Sequence, residues 1–119
     1  MRTLRLIALA LPAVFAFSFG HAETGMMMME APEGASEATK GFVDAMNTMS
    51  MGMMTEFTGN ADQDFIQGMI PHHQGAVDAA RVVLAHGTDP EVKAFAEAVI
   101  AAQVAEIEFM KDWLARHPQ

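Results

Sequence analysis

Two adjacent histidines, His72 and His73, are the residues of this chain whose type and spacing best suit metal chemistry. Met69 precedes them by one helical turn, and on a straight helix residues 69, 72, 73 and 76 share a sector of about 100°. Imidazole binds copper, zinc and iron, whereas a thioether is a soft donor that favours Cu(I). The alternative is that both rings are partly buried and form hydrogen bonds with Gln103 or Glu106.

The positions of these donors predict one site on the inner face of a helix hairpin. His72 is expected to point inward beside Met69, with His73 pointing inward or toward the edge. Met110 is expected to face them from the following helix. Two neighbouring residues of an ideal helix diverge by about 100°, so we expect Pro71 to kink the helix, or to break it near residue 68, and so to turn both rings the same way.

Methionine is unusually frequent, with twelve among 119 residues, and eleven of them lie after position 1. Met46 and Met49 share a helical face with Phe42, a pattern that core packing explains as well as metal binding does. A run of four methionines at 26–29 shows no such periodicity. For this run, recruitment of soft metal is the favoured interpretation, and a low-complexity accident is the alternative.

Apolar periodicity predicts the elements that must hold these donors, namely three helices near 37–54, 62–86 and 89–116 and no strand. Ser36 is a suitable N-cap for the first helix, and Thr88-Asp89-Pro90-Glu91 has the form of a capping box before the third. The short connection at Gly87-Thr88 makes the last two helices antiparallel neighbours. We therefore expect an all-α, small up-down bundle: a long antiparallel hairpin with the first helix laid across it.

The start of the chain resembles an export signal. Arg2 and Arg5 precede an apolar run at 6–19, and small residues flank a cleavage point after Ala22. The predicted organisation is a signal peptide at 1–22, a disordered methionine-rich tail at 23–36 and a helical metal-binding domain at 37–119. The mature protein is expected to be periplasmic or secreted, with no membrane attachment after cleavage.

The formal net charge is −8, and removal of Arg2 and Arg5 with the signal changes it to −10. Binding of nucleic acid needs clustered basic residues, so this composition argues against that partner. The chain has no cysteine, so a transition-metal site must use His, Met or carboxylate donors. No nucleophile motif or glycine-rich phosphate loop is recognisable, and the sequence predicts a binding protein rather than an enzyme.

The segments MIPHHQGAV, HGTDPEV and AAQVAEIEFMKDWL together resemble the DUF305 family, including its CopM-like periplasmic copper-binding proteins. The resemblance covers about residues 42–117. It implies a ferritin-like helical fold, export and copper binding linked to copper tolerance. The candidate ligands that it implies are Met46, Met49, Met69, His72, His73 and Met110.

Two positions depart from the family pattern, because Ser50 stands where many members have His and Ala79 where many have Met. These departures predict a weaker site, or one that uses the additional methionines of this chain.

Three functions follow from these patterns. The first is an exported copper-binding protein that buffers, sequesters or passes on Cu(I), with Cu(II) or zinc as the alternative ion and a copper-handling protein as a partner. The second is a metal-free helical module whose methionine-rich face binds a partner or a second copy of the chain. The third is an enzyme that uses a bound metal for redox chemistry, and visible absorption would distinguish it from a Cu(I) protein.

Overall fold

A computed structural model describes residues 28–118, which contain three helices and no strand. The helices are α1 (Glu37–Gly52), α2 (Ala61–His86) and α3 (Pro90–Arg116). The all-α architecture predicted from apolar periodicity is therefore confirmed, with boundaries within about two residues of those expected. None of the helices in this part of the chain combines the length and apolar character that crossing a membrane requires.

The helix starts are set by short polar side chains. The Ser36 side chain accepts from the Thr39 backbone N–H, as expected for the first N-cap, and Asn60 caps α2 in the same way. The predicted capping box at Thr88 is wrong, because Asp89 is the N-cap of α3 and accepts from the next two free N–H groups. Asp89 competes successfully with Thr88 since a carboxylate is the stronger acceptor at the positive end of a helix.

Pro71 neither breaks α2 nor divides it near residue 68, so the prediction of a break is wrong. A proline removes one backbone hydrogen bond, and α2 nevertheless continues through this position as one helix from Ala61 to His86. On one side, Pro71 lies directly against Gly52 of α1, where a Cβ atom on the glycine would meet the proline Cβ at 2.6 Å.

The three helices form a single layer with α2 in the middle. Gly41 lies against Val82 and Gly52 against Pro71, so α1 is antiparallel to α2. The Gln63 side chain reaches the His117 carbonyl at the far end of α3, which makes α3 antiparallel to α2 as well. No close backbone contact joins α1 to α3, so the expectation that α1 lies across the hairpin is wrong.

The reason for this arrangement is that α2 has two packing surfaces. The surface toward α1 contains Pro71, Gly75 and Val82, whereas the surface toward α3 contains His73 and Val77. At about 100° per residue the two surfaces are roughly 160° apart. Glycine at position 75 of α2, and at 41 and 52 of α1, lets the two helices approach closely.

The buried core is small and belongs to the α2–α3 pair. Val77, Ile107 and Met110 form its fully buried centre, and four partly buried residues pack against them: Ile66, Met69, Ile70 and Ile100. One side of the layer remains apolar and uncovered. This apolar face carries the exposed side chains of Phe42, Met46, Phe65, Val92, Phe95 and Phe109.

The described part of the tail is not detached from the helices. Residues 28–36 contain no helix, but the Met29 backbone N–H donates to Asn47 Oδ1 at 2.8 Å, and Asn47 Nδ2 donates to the Met29 carbonyl at 2.9 Å. The reciprocal pair fixes Met29 on α1. The predicted signal peptide at 1–22 and two of the four methionines of the run at 26–29 lie outside the described residues.

Candidate metal centre

The antiparallel pairing of α2 and α3 brings soft and nitrogen donors into one depression of about 210 Å³. Met69 and His73 lie one turn apart on α2, and Glu106 and Met110 lie one turn apart on α3. We call this depression the His73 pocket; its remaining lining residues are Phe65, Ile66 and Phe109. It assembles because the register that joins Gln63 to His117 also sets His73 opposite Glu106.

His73 is held by one ring nitrogen and has the other without a partner. Its Nε2 lies 2.7 Å from Glu106 Oε2, and the side chain is 16 % exposed. A carboxylate oxygen accepts, so Nε2 is the donor of this hydrogen bond, and in the neutral form of the ring the lone pair then lies on Nδ1. Nδ1 is buried and has no hydrogen-bond partner among the described residues. Buried polar atoms are nearly always paired, so an unpaired nitrogen at this position is unusual, and a bound ligand would satisfy it.

The two thioethers of the pocket are set in apolar surroundings. Met110 is 4 % exposed, and Met69 packs against the buried cluster that Met110 joins. A carboxylate that fixes the tautomer of an imidazole is a usual companion of a metal-binding histidine. The pocket thus offers a pre-oriented imidazole beside soft sulfur, a combination that suits copper and favours Cu(I).

His72 does not share this pocket, contrary to the expectation that it points inward beside Met69. The residue is exposed, and its ring centroid lies 5.9 Å from that of His73 with an interplanar angle of 61°. The physical reason is that α3 packs on the sector of α2 that contains His73 and Val77, one residue further round the helix. Each step along a helix rotates the side chain by about 100°, so only one of two neighbours faces a given partner.

The methionines of α1 also lie outside the His73 pocket. Met49 packs against Gly75, where an added Cβ would meet its sulfur at 2.8 Å, and Met46 is exposed on the apolar face. The structure therefore brings Met69, His73 and Met110 together and leaves His72, Met46 and Met49 at other positions on the layer.

Sequence reasoning missed the two aromatic residues at the rim of the pocket. Phe65 is 64 % exposed, and Phe109 is 59 % exposed. The spacing of four residues from Phe65 to Met69, and of three from Glu106 to Phe109, is the signal that could have placed both rings beside the pocket. Gln103, expected as a further polar partner, is half-buried and does not line the pocket.

No three His, Asp or Glu side chains converge within the residues that the structure describes. A zinc site made only of nitrogen and oxygen donors is consequently not assembled within the described part of one chain. The donors that do converge are of mixed type, one imidazole and two thioethers.

Residues 16–114 match the family model described as "Domain of unknown function (DUF305)". The chain is a member of the DUF305 family. The match spans most of the sequence and includes both helices that form the His73 pocket, in agreement with the resemblance seen in the sequence motifs. No curated protein matches this DUF305 chain.

Proposed function

We propose that this DUF305 protein is exported and binds Cu(I), which it buffers, sequesters or passes to a copper-handling partner. The observation that carries the proposal is the buried, unpartnered Nδ1 of His73, a residue that lines the same pocket as Met69 and Met110. Nδ1 of His73 and the two sulfur atoms would hold the ion, and Glu106 would keep the imidazole in the binding tautomer. The pattern of the first 22 residues supports export.

The metal preference follows from the donors. Two thioethers favour Cu(I) over zinc, because zinc prefers nitrogen, oxygen and thiolate ligands. Zinc would need Glu106 as a ligand, and this carboxylate is already engaged with His73. Cu(II), which imidazole binds well, is the alternative oxidation state, and a protein that holds Cu(II) would absorb visible light whereas the Cu(I) form would not.

The decisive test is anaerobic Cu(I) titration of the His73→Ala variant against a competing chelator. Loss of a ligand should weaken binding by more than the roughly 10–100-fold effect that loss of a supporting residue typically has. His86→Ala is the matched control, since His86 is exposed at the end of α2 and outside the pocket. Unchanged affinity in His73→Ala would sink the assignment of this site.

The apolar face favours a second candidate, a metal-free module that binds a protein partner or another copy of the chain. Phe95 is 69 % exposed and Phe65 is 64 % exposed, and exposed aromatic clusters commonly mark interaction surfaces. Metal analysis of protein purified from the periplasm would separate the two functions, because a metal-free module would contain no stoichiometric copper.

A further inference from the structure

The apolar face is continuous across all three helices. Phe42, Val83 and Phe95, one from each helix, line a common depression, and Phe65 and Phe109 line the His73 pocket further along the same side. On α2 the residues of this side are 65, 69, 72, 76 and 83, which share one helical stripe. The opposite side of α2 is polar, with Gln74, Asp78 and Arg81 joined by hydrogen bonds.

The dimensions of this face fit a second copy of the chain. The 26 residues of α2 extend about 39 Å, and three helices with neighbouring axes 8–10 Å apart give a face on the order of 900 Å². A stable dimer needs about 800 Å² from each partner.

His72 lies near the centre of the apolar face. It belongs to the middle helix, and its position on the stripe is between Met69 and Ala76. None of the hydrogen bonds within residues 28–118 involves its exposed ring. In a two-fold dimer the same patch of each copy faces itself, so residues near the centre of the patch meet their own counterparts.

We propose that two copies pair through the apolar face and that the two His72 side chains bind one Cu(I) ion between them. Each chain supplies half of this shared site, which is therefore incomplete in a single copy. Two imidazoles in a linear arrangement suit Cu(I). The inference rests on the proposed function only for the identity of the ion; the pairing itself is independent of metal.

The first test is the oligomeric state of the metal-free mature protein, measured by sedimentation and compared with that of two variants, Phe95→Asp and Val104→Asp. Phe95→Asp places a charge in the centre of an aromatic interface and should weaken the dimer roughly 100-fold, since each dimer contains two such residues. Val104→Asp is the matched control: Val104 is 41 % exposed and nine positions from Phe95, about 180° round the same helix. A monomeric parent, or a Phe95→Asp variant that still pairs as the parent does, would overturn the proposal.

The second test is the number of Cu(I) ions that each chain binds. His72→Ala should leave the metal-free dimer intact and lower the number of bound Cu(I) ions by one half per chain. Phe95→Asp should lower that number by the same amount, because it separates the two copies. Val104→Asp should leave the number of Cu(I) ions per chain unchanged. An unchanged ratio in His72→Ala overturns the shared site, whereas unchanged binding in His73→Ala overturns the proposed function and leaves the sedimentation result standing.

Discussion

At the residue scale, the two ring nitrogens of His73 have different surroundings. Nε2 of His73 is engaged by Glu106, and Nδ1 is buried without a partner. The sequence identified His73, Met69 and Met110 as donors and Glu106 as the companion of an imidazole. It could not determine which of the two histidines faces α3, because periodicity gives the spacing of a stripe and leaves its phase uncertain by one residue.

Replacement of Glu106 by Gln should weaken Cu(I) binding by about 10–100-fold, because a neutral amide holds the His73 ring and its tautomer less firmly. Competition titration measures the affinity, and nitrogen NMR of the His73 ring reports the tautomer. Glu108→Gln is the matched control, since Glu108 pairs with Lys111 on the surface of α3. A loss of affinity with no change in the tautomer signal would contradict the positioning role of Glu106.

Met69→Leu keeps the side-chain volume and removes the sulfur, so the fold should persist while Cu(I) binding weakens. Zinc affinity should change much less, because thioether sulfur is a poor ligand for that ion. The measurement is a pair of titrations, one with each metal. Met51→Leu, at an exposed position of α1, makes the same chemical change away from the pocket. Equal losses for both metals would show that Met69 acts through packing alone.

At the element scale, caps and glycines determine how the helices begin and how closely they pack. Sequence periodicity predicted the extent of each helix, and Ser36 was identified correctly as a cap. Sequence periodicity did not predict that α1 and α3 occupy opposite sides of α2. That arrangement depends on backbone proximity at Gly41, Gly52 and Gly75. Glycine has a low helix propensity, so in a sequence it usually indicates a less stable helix. Its role in close helix packing can be recognised only when the partner helix is known.

Gly75→Ala should destabilise the protein by about 1–3 kcal/mol, because the added methyl group would overlap Met49. The built Cβ lies 2.7 Å from Met49 Cβ and 2.8 Å from its sulfur. Gly68→Ala, on the same helix, meets nothing within 4 Å and should stabilise by about 0.5–1 kcal/mol. Urea unfolding of both variants gives the two values. A Gly75→Ala variant as stable as Gly68→Ala would show that α1 does not pack at this distance.

The loop before α2 should lose stability on acidification through Asp64. The Thr58 backbone N–H, the Thr58 hydroxyl and the Gly59 N–H all donate to this carboxylate, and the backbone hydrogen bond from Thr58 leads in lowering its pKa below the usual 3.8. A lowered pKa in the folded state means that the stabilisation is present above 3.8 and disappears as the pH falls through the lowered value.

Asp64→Asn should therefore lower Tm near pH 6, and the difference from the parent should vanish in strong acid. Thermal unfolding followed by circular dichroism at several pH values measures it. Asp62→Asn removes the same charge from the same first turn and controls for the helix dipole. If the difference in Tm between the parent and Asp64→Asn stays constant down to the lowest pH, the proposed role of the ionised carboxylate is contradicted.

At the scale of the whole molecule, the chain is a layer with one polar and one apolar side. The sequence predicted a methionine-rich face as the surface for binding a partner or a second copy, whereas the exposed apolar face of the described residues is mainly aromatic. Phe65, for example, has a spacing from Met69 that fits a buried stripe, yet it is 64 % exposed. In the three-helix layer, the stripe that contains Phe65 lies on the apolar face. The core forms instead from the neighbouring stripe of α2 that contains Val77. An amphipathic pattern alone cannot distinguish a surface buried within a chain from one buried between chains.

The one-sided attachment of α1 gives the molecule two units of unequal stability. Because α2 is the only described helix that α1 contacts, whereas the buried cluster joins α2 to α3, we expect α1 to open locally while the hairpin stays folded. Backbone amides of α1 should exchange with deuterium sooner than those around Val77 and Ile107, in an experiment followed residue by residue. Such opening would carry Met46 and Met49 away from the hairpin together, and the protein would present two thioethers on a segment able to reach a copper donor.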